Sequence, residues 1–138
     1  MRPDTLARTA ERVASGHSLD RALREFLDEF YLAPTPEQRS SMLVDEPPGM
    51  GDPRLESLFG AVAEYLAHQH GLPHVPDWAY SPRRYLERAW HPSPMADDGM
   101  REYLTFASPA EFASRNIFTE ERPLRRARAP RPPETESR

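Results

Sequence analysis

Apolar positions recur at helical spacing through the first half of the chain. Leu19, Ala22, Leu23, Phe26, Leu27, Phe30 and Tyr31 fall three and four apart, so a helix of about 14 residues beginning after Ser18 carries one wide apolar face. Asp20, Arg21, Arg24, Glu25, Asp28 and Glu29 take the other face. A shorter helix is predicted over residues 4–15, where Leu6, Ala10, Val13 and Ala14 form a narrow stripe that Gly16 ends. Leu55, Leu58, Phe59, Val62, Tyr65 and Leu66 predict a further helix from Asp52 to Gly71.

Helix starts are marked chemically. Thr35-Pro36, Asp52-Pro53, Ser81-Pro82 and Ser108-Pro109 each pair a capping oxygen with proline. Proline sacrifices nothing at the first helical position, because the amide hydrogen it lacks would have no partner there. Thr35 with Gln38 and Ser108 with Glu111 extend this to capping boxes. The pairs predict helices over residues 36–43, a short one from Ser81 bearing Tyr85 and Leu86, and one over residues 109–115. Another is predicted over residues 99–107, and Thr119 is expected to cap a last turn reaching Leu124. Asn116, Ile117 and Phe118 are expected to be extended. The breakers in GLPHVPDW and AWHPSPMADDG predict loops.

Four valines and one isoleucine leave little from which to build a sheet. The prediction is an all-α fold, a compact bundle of six to eight short helices. One domain is expected over residues 1–127, followed by a disordered tail over 128–138, where proline and arginine replace apolar residues.

Charge adds an asymmetry. Residues 1–121 hold 12 arginines against 20 acids, a net of −8, whereas residues 122–131 hold five arginines and no acid. An acidic body argues against a general nucleic-acid binder, although the basic stretch could meet phosphates, seat on an acidic partner or stay solvated. No apolar run approaches the ~20 residues that span a bilayer, and the charged N-terminus does not read as a signal peptide. A cytoplasmic protein is expected, with no membrane association.

Candidate chemistry is sparse. Without cysteine or lysine there is no thiolate nucleophile, zinc thiolate or Schiff base, and the glycines form no phosphate loop. His68, His70 and His74 cluster, but residues two apart on a helix project about 200° apart and cannot share one ion. Solvated histidines, with one favoured at the helix C-terminus, are the expectation. Asp45-Glu46 and Asp97-Asp98 are read as capping or solvated pairs rather than cation ligands. Trp78, Tyr80, Tyr85 and Trp90 are expected to plug gaps between short helices, the alternative being an interface hot spot. No catalytic, cofactor-binding or metal-binding residue is assigned.

Three stretches carry a family likeness: SLDRALREFLDEFYL (residues 18–32), HGLPHVPDWAYSPRRYLERAWHP (residues 70–92) and SPAEFASRNIFTEERPLRRA (residues 108–127). Together they make up a little under half the chain. They resemble a group of small, poorly characterised helical bacterial proteins associated with toxin–antitoxin-like pairs whose neighbouring gene product is nucleotidyltransferase-like. The most distinctive segments are His70-Gly71-Leu72-Pro73 with the following Trp78, and Arg115-Asn116-Ile117-Phe118. The chain departs from the group in Glu120-Glu121-Arg122-Pro123 and in its proline-rich extension. The resemblance implies a non-catalytic, antitoxin-like protein that occludes a protein partner, the product of a neighbouring gene.

The expected contact segment runs from Asn116 to Arg128, with Ile117 and Phe118 as an exposed anchor and Arg115, Asn116, Arg125 and Arg126 flanking it. The alternative is a DNA-binding regulator, with Arg83, Arg84 and Arg88 on a short recognition helix and the basic tail adding phosphate contacts. An enzyme would have to use His68, His70 or His74 with a carboxylate such as Glu64.

One outcome follows from composition alone. Truncation after Ala127 removes no apolar side chain that could offset ordering entropy. The melting temperature should therefore move by less than about 2 °C, against ~4–8 °C per kcal/mol for a domain near this size. A larger drop in a thermal scan would show that these residues pack on the body.

Overall fold

In the computed structural model, residues 5–92 and 108–119 are described. The helices predicted over residues 99–107 and 119–124, the tail over 128–138, Asp97-Asp98, Arg125 and Arg126 lie outside them. Within the described residues the fold is helical, without strands: α1 (Leu6–Ala14), α2 (Leu19–Leu32), α3 (Pro36–Leu43), α4 (Pro53–Gln69) and the four-residue α5 (Ala110–Ala113). Two 3-10 turns, Asp77–Tyr80 and Pro82–Arg84, stand between α4 and α5. None of these helices is long and apolar enough to cross a membrane.

Local chemistry sets the first four helices. Thr5, Ser18, Thr35 and Asp52 each accept a backbone N–H of the first turn, Asp52 from Arg54 at 2.9 Å. Gly16 and Gly71 close α1 and α4 with positive φ of 107° and 62°. After Gly71 the Leu72 amide reaches back to the carbonyl of Ala67, satisfying one of the open carbonyls of the last turn.

The long helix α4 is the axis of the molecule. Ser57, Phe59, Gly60, Ala61, Val62, Ala63, Tyr65, Leu66 and Ala67 are all buried, so its middle is enclosed on nearly every side. α1 packs against both α4 and α2, and Leu6, Ala10, Phe26 and Phe30 join the same core. Both 3-10 turns and α5 also pack on α4. Trp78 plugs the gap beside α3, donating its indole N–H to the carbonyl of Leu43 at 3.0 Å, whereas Tyr80 remains about half exposed.

The capping pairs at Ser81 and Ser108 do not act as predicted. Neither side chain caps a helix. The Ser108 hydroxyl donates to the Thr119 carbonyl and accepts the Thr119 amide, both at 2.8 Å, which ties the two ends of this segment together. The helix expected from Ser81 is a single 3-10 turn, after which Tyr85 is extended. It stops there because the Arg84 side chain is drawn beneath α4, and the Leu86 amide bonds the carbonyl of Arg115.

Gly60 allows this approach. A Cβ there would stand 2.9 Å from the Cβ of Arg84 and 3.2 Å from the Nε of Arg115. Gly60→Ala gains helix propensity worth about 1 kcal/mol. Overlap with Arg84 costs about 1–3 kcal/mol, because the obstructing atom is the root of a side chain and cannot swing aside. Net destabilisation should appear as a lower urea midpoint with unchanged slope; an equal or higher midpoint would show that this crossing yields freely.

Candidate functional site

Two arginines with no exposed surface flank Gly60. Arg115 follows α5 closely, and its guanidinium meets Glu64 Oε1 at 2.6 Å, the Glu111 carbonyl at 2.8 Å and the Ala79 carbonyl at 2.7 Å. It also lies 4.5 Å from the ring centre of Tyr85. Arg84 donates to the carbonyls of Pro47 and Glu56 and lies 5.0 Å from the ring centre of Trp78. Desolvation pushes Arg84 below the usual arginine range, with neighbouring Arg83 acting the same way and Glu56 and Glu46 opposing it. Both side chains pin loops onto α4. Buried as they are, neither can touch a partner, so Arg115 is withdrawn from the predicted contact set and Arg84 from the predicted recognition helix.

The next three residues divide. Asn116 takes a left-handed φ of 63° and donates its side-chain amide to the Leu86 carbonyl at 2.8 Å, turning the chain back toward residues 86–91. Ile117 then pairs in parallel with Trp90: the Trp90 amide bonds the Asn116 carbonyl, and the Phe118 amide bonds the Trp90 carbonyl. The extended expectation holds at Ile117 but fails at Asn116, whose left-handed backbone makes a turn, and the Ile117 side chain is completely buried. Ile117 is core, not an exposed anchor. Phe118 is half-buried and stacks on His91, with ring centres 5.5 Å apart. Nothing periodic around Ile117 announced its burial, because its backbone partners Phe112 and Trp90 belong to the one-turn helix α5 and to a distant loop.

Beside this junction, an open cleft of about 900 Å³ separates the first turn of α4 from residues 82–89. Asp52, Arg54 and Glu56 line one wall, and Arg83, Glu87 and Arg88 the other, over Tyr85 and Leu86. Arg83 bonds Glu46 Oε2 at 2.6 Å, and that bond holds the Glu46 carboxyl below its ordinary value. Arg54 lies 5.4 Å from the ring centre of Trp90, along the rim. Sequence reasoning missed Arg54 and the cleft, since no local pattern places residue 54 opposite residue 88.

The histidines separate as helical geometry requires. His68 pairs with Glu111 through Nδ1 at 2.5 Å, and Glu64 bridges Arg115 and the hydroxyl of Tyr80. The Glu64 contact and burial hold the Tyr80 hydroxyl above its ordinary value, burial being the larger effect. His70, at the C-terminal cap of α4, is half-buried: its ring packs edge-on against Phe30, with centres 5.0 Å apart, and stacks on Tyr31 at 5.6 Å. His74 lines a small apolar groove with Leu43 and Val44. Among the described residues, no three histidines or carboxylates converge as a metal site.

His70 sets a pH dependence. Burial, then the charge of Arg39, lowers its pKa from the ordinary 6.5, so the fold favours neutral imidazole. The unfolded chain therefore binds this proton more readily, and stability rises with pH across the window below 6.5. His70→Phe retains the ring packing and should flatten the difference between urea midpoints measured just above and well below that value. An undiminished difference would assign it to other groups.

Compared with protein-family models, curated proteins and solved structures, the chain matches no family model, no curated sequence and no known structure.

Proposed function

We propose that this chain is a non-catalytic, cytoplasmic, antitoxin-like protein that binds and occludes a protein partner, the product of a neighbouring gene. The surface around Trp90 carries the reading. There Arg54 lies against the indole, His91 and Phe118 stack on each other, and a cleft with Arg88 on its wall opens alongside. Tryptophan and arginine dominate binding energy at protein interfaces, because they combine large contact area with directed hydrogen bonding. Arg125 and Arg126, outside the described residues, are assigned to the same contact in this reading. Arg115 and Ile117 hold the surface from beneath and make no contact themselves.

The DNA-binding alternative is weakened by the 3-10 turn at Pro82–Arg84. It is too short to enter a groove as a recognition helix, and it buries Arg84.

The test is co-purification of the tagged protein with the product of the adjacent gene. Phe118→Ala combined with Arg125→Ala and Arg126→Ala should weaken that complex by about tenfold or more, equivalent to about 1.4 kcal/mol. The melting temperature reports whether the variant retains its fold. A complex of unchanged affinity would overturn this contact surface.

A further inference from the structure

We infer that the cleft beside the first turn of α4 seats a short acidic segment of the partner protein. This rests on the partner-binding reading above and names the chemistry of the occupant. Three of the six charged groups lining the cleft are engaged within the fold. Asp52 caps Arg54, Glu56 accepts the Met50 amide and faces Arg83, and Arg83 is bonded to Glu46. Among the described residues, Arg54 and Arg88 meet no carboxylate, although they stand on opposite walls.

Arg54 lies over the Trp90 ring, an arrangement that occupies the face of the guanidinium and leaves its edge donors free. Such a planar, partly immobilised fork suits bidentate pairing with a carboxylate. Half-buried Tyr85 and Leu86 between the walls offer apolar surface to a neighbouring side chain.

The charges also say what the occupant is not. Asp52 already satisfies the first-turn amide of Arg54, so the end of the helix is not open to an anion there. Glu87 is exposed among the arginines, and the body as a whole is acidic. A nucleic acid, carrying a phosphate at every step, would meet these carboxylates along its length. A short polypeptide can place carboxylates at Arg54 and Arg88 and turn other groups toward Glu87.

The test uses the full chain and its Arg54→Glu/Arg88→Glu variant. Both positions are exposed, and an unchanged melting temperature confirms the fold. Three probes are titrated: a labelled synthetic peptide of alternating glutamate and leucine, a single-stranded oligodeoxynucleotide, and the protein encoded next to this one. The peptide should bind the native chain more weakly as salt rises, and the variant should lose about tenfold or more of that affinity. The neighbouring protein should lose affinity in parallel.

If the neighbouring protein binds both chains equally, the cleft assignment fails while partner binding stands. If the peptide discriminates between the chains but the neighbouring protein binds neither, the cleft stands and that choice of partner fails. Tighter binding of the oligodeoxynucleotide than of the peptide, lost in the variant, would overturn the proposal in favour of a nucleic-acid ligand, and a peptide that fails to bind the native chain would overturn it outright.

Discussion

The missing side chain at Gly60 is the constraint on which the second half of the fold depends. With hydrogen there, α4 lets the root of Arg84 and the guanidinium of Arg115 approach its backbone, and the Ala79 carbonyl closes in beside them. Burying two cations is costly unless donors find acceptors in the right places. Here the acceptors are chiefly main-chain carbonyls, those of Pro47, Glu56, Ala79 and Glu111, with Glu64 supplying a counter-charge to Arg115. Lysine could not replace either arginine. Its single ammonium lacks the planar fork that reaches several carbonyls while stacking on Trp78 or Tyr85.

This arrangement explains how segments with so little regular structure keep a defined shape. Residues 82–91 have one 3-10 turn and α5 has four residues, too few helical hydrogen bonds to stabilise either segment alone. The arginines anchor both segments from inside, and the Trp90–Ile117 pairing joins them directly. The Trp90 and Arg88 surface is consequently presented by a loop held at its base. For the partner binding proposed above, preorganisation of this kind would lower the ordering cost.

The capping oxygens show where local information was enough. Thr35 and Asp52 begin helices as their sequences imply: each is followed by proline and by a helix of eight or more residues with apolar groups to bury, Met42 and Leu43 at the end of α3 and most of the middle of α4. The same signal at Ser108 is overridden: its hydroxyl has two backbone partners at Thr119, and the helix beyond lasts one turn. A cap competes on equal terms with any other hydrogen bond the hydroxyl can make.

What the sequence determined by itself was therefore the helical class, the first four helices with their starts and stops, and the charge imbalance between body and tail. Those features depend on neighbours within a few positions along the chain, where spacing and capping act directly. Only the tertiary structure decided which arginines are interior and which face solvent. Arg83 and Arg84 are adjacent and chemically alike, yet one bonds Glu46 at the surface and the other has no exposed area. That division depends on Gly60, more than twenty residues away. It also decided that Ile117 is core while Arg54 and Arg88 share a cleft, because burial and proximity across loops follow from packing around α4 rather than from any local pattern.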